Sequence, residues 1–241
     1  MVNEKSLDVT GAYCSEVVQL LALLNHEALT TLAGALLGTR NSGSTVWVMG
    51  NGGSEANASH LVLHLQAASL RAHDLLDGLP SLTAFSNDKS YEALPLRQLR
   101  AMAHAGDILV VISGSGDSAN VLVALAEAKR LGLNKLGLLG FGGGAAAGLC
   151  DHAIVLSSHE YGPIEDVHSV IVHLLDKFLA APALPRAAQA HPLAPPAHPL
   201  AAPPRPTPTP ARPGTQPNPP APLRATPIKP PTLRPPSRRG A

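Results

Sequence analysis

Two short stretches combine small residues with hydroxyls in the way an anion site requires. Gly50-Asn51-Gly52-Gly53-Ser54 follows the apolar run Val46-Trp47-Val48-Met49, and Ser113-Gly114-Ser115-Gly116-Asp117-Ser118 follows Ile108-Leu109-Val110-Val111-Ile112. Each is a strand-like segment running into a turn at the start of a helical pattern. There backbone N–H groups can approach a ligand and the helix dipole favours negative charge. Gly52 and Gly53 remove side-chain bulk from that approach, while Ser54, Ser113, Ser115 and Ser118 supply hydroxyl donors without adding a cation. Neither turn has the Lys-Ser/Thr ending of a nucleotide P-loop, and the first lacks the Gly-x-Gly-x-x-Gly spacing of a dinucleotide site. The pair points to a phosphorylated small molecule and to no nucleotide cofactor.

A second kind of chemistry is carried by His60 and His64. Spaced i, i+4 on a predicted helix, their imidazoles share one face in the spacing that zinc-binding helices use. Zinc ligation, lining of a polar ligand pocket and plain packing are the three roles open to them.

The elements that must position these residues follow from hydrophobic periodicity. Apolar residues at spacings of three and four from Val9 to Leu37 predict one long amphipathic helix. Short apolar runs at 45–49, 81–85, 107–113, 135–139 and 153–156 predict strands, and helical patterns at 55–70, 92–104, 117–132 and 164–180 separate them. Such alternation predicts an α/β fold of right-handed βαβ units with a parallel sheet covered on both faces. Ligands then gather at the carboxyl ends of the strands.

Composition divides the chain near Ala180. Of its 24 prolines, 21 lie in 181–241, together with eight Lys or Arg and no Asp or Glu, so a tail of +8 is joined to a body of −7. We read 1–180 as the folded domain and 181–241 as a tail that buries too little apolar surface to order itself, with polyproline II character. An acidic body argues against nucleic acid, and no apolar run approaches the ~20 residues that span a bilayer. Two cysteines, Cys14 and Cys150, make no disulfide framework and are expected as buried thiols of a cytoplasmic protein.

Taken together, the motifs resemble those of the sugar isomerase (SIS) family, and most closely its phosphoheptose isomerases. The residues that carry this are Gly50 to Ser54 with His60 six positions on, Asn87-Asp88 with Tyr91-Glu92, Gly106 to Leu109, Ile112 to Val121, Gly137 to Gly140, and Ile164 to His168 with His173. The resemblance implies a three-layer α-β-α sandwich with a five-stranded parallel sheet, assembled as a homotetramer, that interconverts sedoheptulose 7-phosphate and an aldoheptose phosphate. It places phosphate on Ser54, Ser113, Ser115 and Ser118 and sugar contacts on Asn51, Asn87 and Asp88. It makes His173 a catalytic acid/base, with Glu165 able to assist, and makes His60, His64, Glu165 and His173 a Zn2+ ligand set. His64 stands where the family's pattern has a catalytic carboxylate. That departure opens a second reading, a non-catalytic SIS module that binds a phosphosugar or a protein partner. His168 points ~140° from His173 on a helix, toward a neighbouring subunit or solvent. His104, His152 and His159 are read as ordinary surface or core residues.

Overall fold

The computed structural model describes residues 4–180; the proline-rich stretch 181–241, and the conformation expected for it, lie outside the described residues. In chain order the elements are α1 (Glu4–Ala22), α2 (His26–Ser42), β1 (Thr45–Met49), α3 (Gly53–Ala67), β2 (Arg71–Asp74), α4 (Leu79–Asp88), α5 (Ala93–Met102), β3 (Ile108–Ser113), α6 (Ala119–Leu131), β4 (Asn134–Leu139), a 3-10 turn (Phe141–Gly143), α7 (Gly144–Ala147), β5 (His152–Val155) and α8 (Tyr161–Ala180). All strand pairs are parallel, in the order β2-β1-β3-β4-β5. The chain reverses its direction of winding between β1 and β3, and the two glycine-serine turns leave from the ends of those two strands.

Alternate strand residues feed two separate cores, which is why the fold has three layers. Val46, Val48, Ile108, Val110 and Ile112 face a cluster with Leu32 and Leu36 of α2, Leu61 and Leu65 of α3, and Val167 and Ile171 of α8. Trp47, Met49, Leu109 and Val111 face the opposite cluster with Leu99 of α5 and Val121, Leu125 and Ala128 of α6. A buried carboxylate ties β1 to the turn before β3. Asp107 accepts from the N–H of Thr45 (2.8 Å), the indole N–H of Trp47 (3.0 Å) and the N–H of His104 (3.0 Å). Three charge-assisted bonds offset the cost of burying it.

Three expectations are corrected. The helix predicted over 9–37 is two helices bent by 70°, because Asn25 caps α2 by accepting from the N–H of Ala28 at 2.9 Å. That local bond overrides a continuous apolar stripe and leaves Val18 and Leu23 exposed. The run 81–85 is not a strand; it lies in α4, launched by Gly78 at φ +94° and a proline in the first turn, and no α4 residue is buried. Its place in the sheet belongs to β2, an edge strand with only Ala72 buried, too short and polar for an apolar run to reveal. Cys14 is exposed and Cys150 half-buried, with burial pushing the Cys150 thiol up to about 11. No single helix among the described residues is long and apolar enough to cross a membrane.

Candidate functional site

The turn after β1 and the turn after β3 are stitched to one another. Asn51 donates to Asn120 at 2.9 Å, Asn120 donates back at 2.8 Å, and the Tyr91 hydroxyl donates to the same Asn51 oxygen at 2.7 Å. Gly50 is required here, since a Cβ would lie 2.5 Å from the Ser54 backbone. Gly52, at φ +57°, and Gly53 open α3, so their N–H groups are among those that no helical carbonyl can take. In the second turn Ser113 Oγ accepts from the N–H of Gly116 (3.0 Å) and Ser115 Oγ from that of Asp117 (3.2 Å). Each hydroxyl keeps its own proton to donate. Ser118 is the N-cap residue of α6 but makes no side-chain capping bond, and Ser54 is buried at the start of α3. Asn87 and Asp88 are not drawn into this frame: Asn87 donates to Asp88 at 3.0 Å, and Asp88 lines a cleft of about 310 Å³ with Phe85 and Arg97.

Charge beside the first turn is moderated by Glu55. It accepts from the N–H of Gly50 at 2.8 Å, and burial, followed by its bond to Asp74, pushes its pKa up to about 9. A carboxyl that stays protonated at neutral pH does not repel an anion bound next to it. The linkage has a definite sign. The unfolded group ionises above ~4.5 and the folded one only near 9, so this site loses stability as pH rises between those values. Glu55→Gln keeps the bonding pattern and removes that loss. The variant should be more stable than the parent by about 1 kcal/mol at pH 7.5, solvent screening included, and equally stable at pH 4.5. Urea titrations at the two pH values check this; equal stability at both would refute it.

Helices α3 and α8 run parallel and in step. From the loop end, the Glu165 carboxylate packs against Gly53 so closely that a Cβ there would collide with it, and Asn57 donates to the Glu165 carbonyl at 2.9 Å. Further along, three imidazoles converge: ring centroids lie 4.6 Å apart for His60 and His64, 4.8 Å for His60 and His173, and 5.4 Å for His64 and His173. The Nε2 atoms of His60 and His64 are 3.0 Å apart, and one nitrogen from each ring lies within 4.8 Å of the others. Burial, then the neighbouring His64 and His173, lowers the basicity of His60. Its lone pair is therefore available at neutral pH. Glu165 stands eight residues before His173, ~12 Å of helical rise, and does not join this cluster.

Sequence reasoning missed three participants. Tyr91 and Asn120 sit inside quoted motifs, but only the fold brings them to Asn51. Asp176, 3.1 Å from Nδ1 of His64, lies one turn past His173, and that i, i+3 spacing was its one legible signal. The expectation for His168 is corrected. It is fully buried, facing neither solvent nor an open surface, and neither ring nitrogen has a hydrogen-bond partner. Burial pushes its pKa down to about 4, opposed only in part by the nearby Leu139 backbone.

Comparison with known proteins agrees with this geometry. Residues 12–140 match the SIS domain. A phosphoheptose isomerase of Rhodospirillum rubrum is 35% identical over 176 residues, 70% of this chain and 94% of the relative. One from Nitratiruptor is 41% identical over 136 residues, 54% and 73% of the two chains. Among solved structures, a phosphoheptose isomerase from Francisella tularensis superposes with a TM-score of 0.69 at 30% identity, covering 72% of this chain and 97% of that one. That from Neisseria gonorrhoeae gives 0.69 at 26%, covering 74% and 98%. With a five-stranded parallel sandwich, two serine turns joined at the winding reversal and most of each relative's length matched, the chain belongs to the SIS-domain family, among its phosphoheptose isomerases.

Proposed function

We propose that the chain is a ketose–aldose isomerase acting on a seven-carbon sugar phosphate, sedoheptulose 7-phosphate in the ketose direction. The observation that carries this is the spacing between the stitched serine turns and the imidazole cluster. From Ser54 to His60 the helix rises ~9 Å. Eight bonds separate phosphorus from C1 in a heptose 7-phosphate, ~10 Å at the rise per bond of an extended chain. Phosphate on Ser54, Ser113, Ser115, Ser118 and the N–H groups of Gly52 and Gly53 therefore brings C1 and C2 to the histidines. Along the way Asn51 and the Glu165 carboxylate meet the hydroxyls, with Asn87 and Asp88 assigned to the sugar of a neighbouring subunit in a homotetramer. Exposed Val9, Val18 and Leu23 supply apolar surface for such an assembly.

Isomerisation moves one proton between C1 and C2 and another between the two oxygens, through a cis-enediol. His173, the most exposed ring of the cluster, is assigned the carbon proton, and His64 the proton between O1 and O2. Zinc fits the same residues. Bonds of ~2.05 Å at tetrahedral angles put ligand nitrogens ~3.3 Å apart, close to the 3.0 Å between His60 and His64. His60, His64 and His173 would hold the ion, which when bound polarises a carbonyl oxygen. A ring nitrogen holds an ion or a proton but not both. His60 and His64 would therefore stay on a bound ion while His173 is the ring that exchanges. The proton between O1 and O2 would then fall to His173, with His64 carrying it only in the metal-free ring. Purified protein given sedoheptulose 7-phosphate should form aldose, lose that activity in EDTA and regain it with Zn2+. Saturable binding without turnover would instead establish the second reading, a phosphosugar-binding module, which His64 in a carboxylate's place favours.

A further inference from the structure

Asp176 belongs to no part of the reaction assigned so far, yet its carboxylate lies beside a ring nitrogen of the cluster. Its Oδ1 lies 3.1 Å from Nδ1 of His64, with the two side chains 26% and 20% exposed. The competing cation, Lys177, is 3.9 Å from the other Asp176 oxygen and its side chain is 81% exposed, an arrangement worth little in water. Because α8 turns back to the same face after three residues, His173 and Asp176 both address α3, where His60 and His64 do the same four residues apart.

A carboxylate only accepts, so a 3.1 Å approach to Nδ1 of His64 favours the proton on that nitrogen. In the neutral ring the lone pair is then on Nε2, where, without an ion, it accepts from the Nε2–H of His60 at 3.0 Å. Imidazole left to itself prefers the opposite tautomer, which would aim a proton rather than a lone pair at the other two rings. We propose that Asp176 is a positioning residue. By accepting the Nδ1 proton of His64 it selects the tautomer whose Nε2 can receive an ion or a substrate proton. It thereby compensates for the absence of a carboxylate at position 64, delivering negative charge through the imidazole from α8. Partners of this kind typically govern metal affinity by ~10–100-fold. The inference rests on the proposed role of the histidine cluster, but the tautomer can be read without substrate or metal.

The experiment uses the full chain labelled with 15N-histidine, metal-free, at pH 8, with His64 assigned from the resonances lost in His64→Gln. Expected is a His64 ring protonated at Nδ1 in the parent, retained in Asp176→Asn, whose amide oxygen still accepts, and switched to Nε2 in Asp176→Ala. Competition with a chromophoric chelator should show Zn2+ binding weakened ~10–100-fold in Asp176→Ala and less in Asp176→Asn. An Nε2-protonated His64 in the parent overturns the proposal whatever the metal does. So does Asp176→Ala with lowered melting temperature but unchanged tautomer and zinc affinity, which would make the contact a helix-to-helix tie. A parent chain with the expected tautomer and no zinc affinity upholds the positioning role and removes the metal from the proposed function instead.

Discussion

Replacing His173 with alanine is expected to lower kcat on sedoheptulose 7-phosphate by ~10²–10⁴-fold, the usual contribution of a positioned acid/base. KM should move by no more than a few-fold, because the phosphate is proposed to sit at the other end of α3, on residues that the substitution does not touch. His173 is exposed on α8, so no core contact is lost and the melting temperature should hold. This split between kcat and KM separates chemistry from binding. Steady-state kinetics with matched thermal melts measure it. An unchanged kcat would remove His173 from the reaction, and a collapse of binding with kcat intact would move it to the sugar site.

The second large effect concerns stability in acid. His168 is fully buried on α8, and its pKa falls to about 4 from an ordinary 6.5. The folded protein thus takes up this proton later than the unfolded chain does. Stability is fully present above pH ~6.5, is lost as pH falls from there toward 4, and is then down by about 3 kcal/mol. His168→Leu removes the titration and the two unpartnered nitrogens at similar volume. Unfolding free energies from pH 8 to 4 should fall more steeply in the parent than in the variant, by about 3 kcal/mol over the range. Parallel profiles would show that the ring finds a proton acceptor that the core does not reveal. Since the variant leaves the histidine cluster and the serine turns in place, its activity at pH 8 should match the parent's.

Much of this protein was legible in the one-dimensional chain, and the reasons are local. Runs such as Ile108 to Ile112 are apolar at every position because both faces are covered, and the turns that follow need glycine and serine for their own backbone paths. A strand, a turn and a helix start lie within ten residues of one another, so short-range rules suffice to place the two glycine-serine turns and the alternation of elements. Where those rules failed, a competing local signal or a missing one was responsible. The Asn25 cap broke a helix that periodicity had joined, and β2 carries so little buried surface that Arg71 to Asp74 look like a loop.

What the tertiary structure alone decided are the pairings across long separations. Asn51 meets Asn120 because β1 and β3 are neighbours in the sheet, and Gly53, His60 and His64 meet Glu165, His173 and Asp176 because α3 and α8 lie side by side in register. Residue types and spacing can propose that three histidines and a glutamate share an ion. Only the packing of two helices shows that the glutamate stands with the first glycine-serine turn while an aspartate takes its place beside His64. The physical reason is that side-chain direction on a helix is set locally, whereas the residue it faces is set by which strands the helix connects.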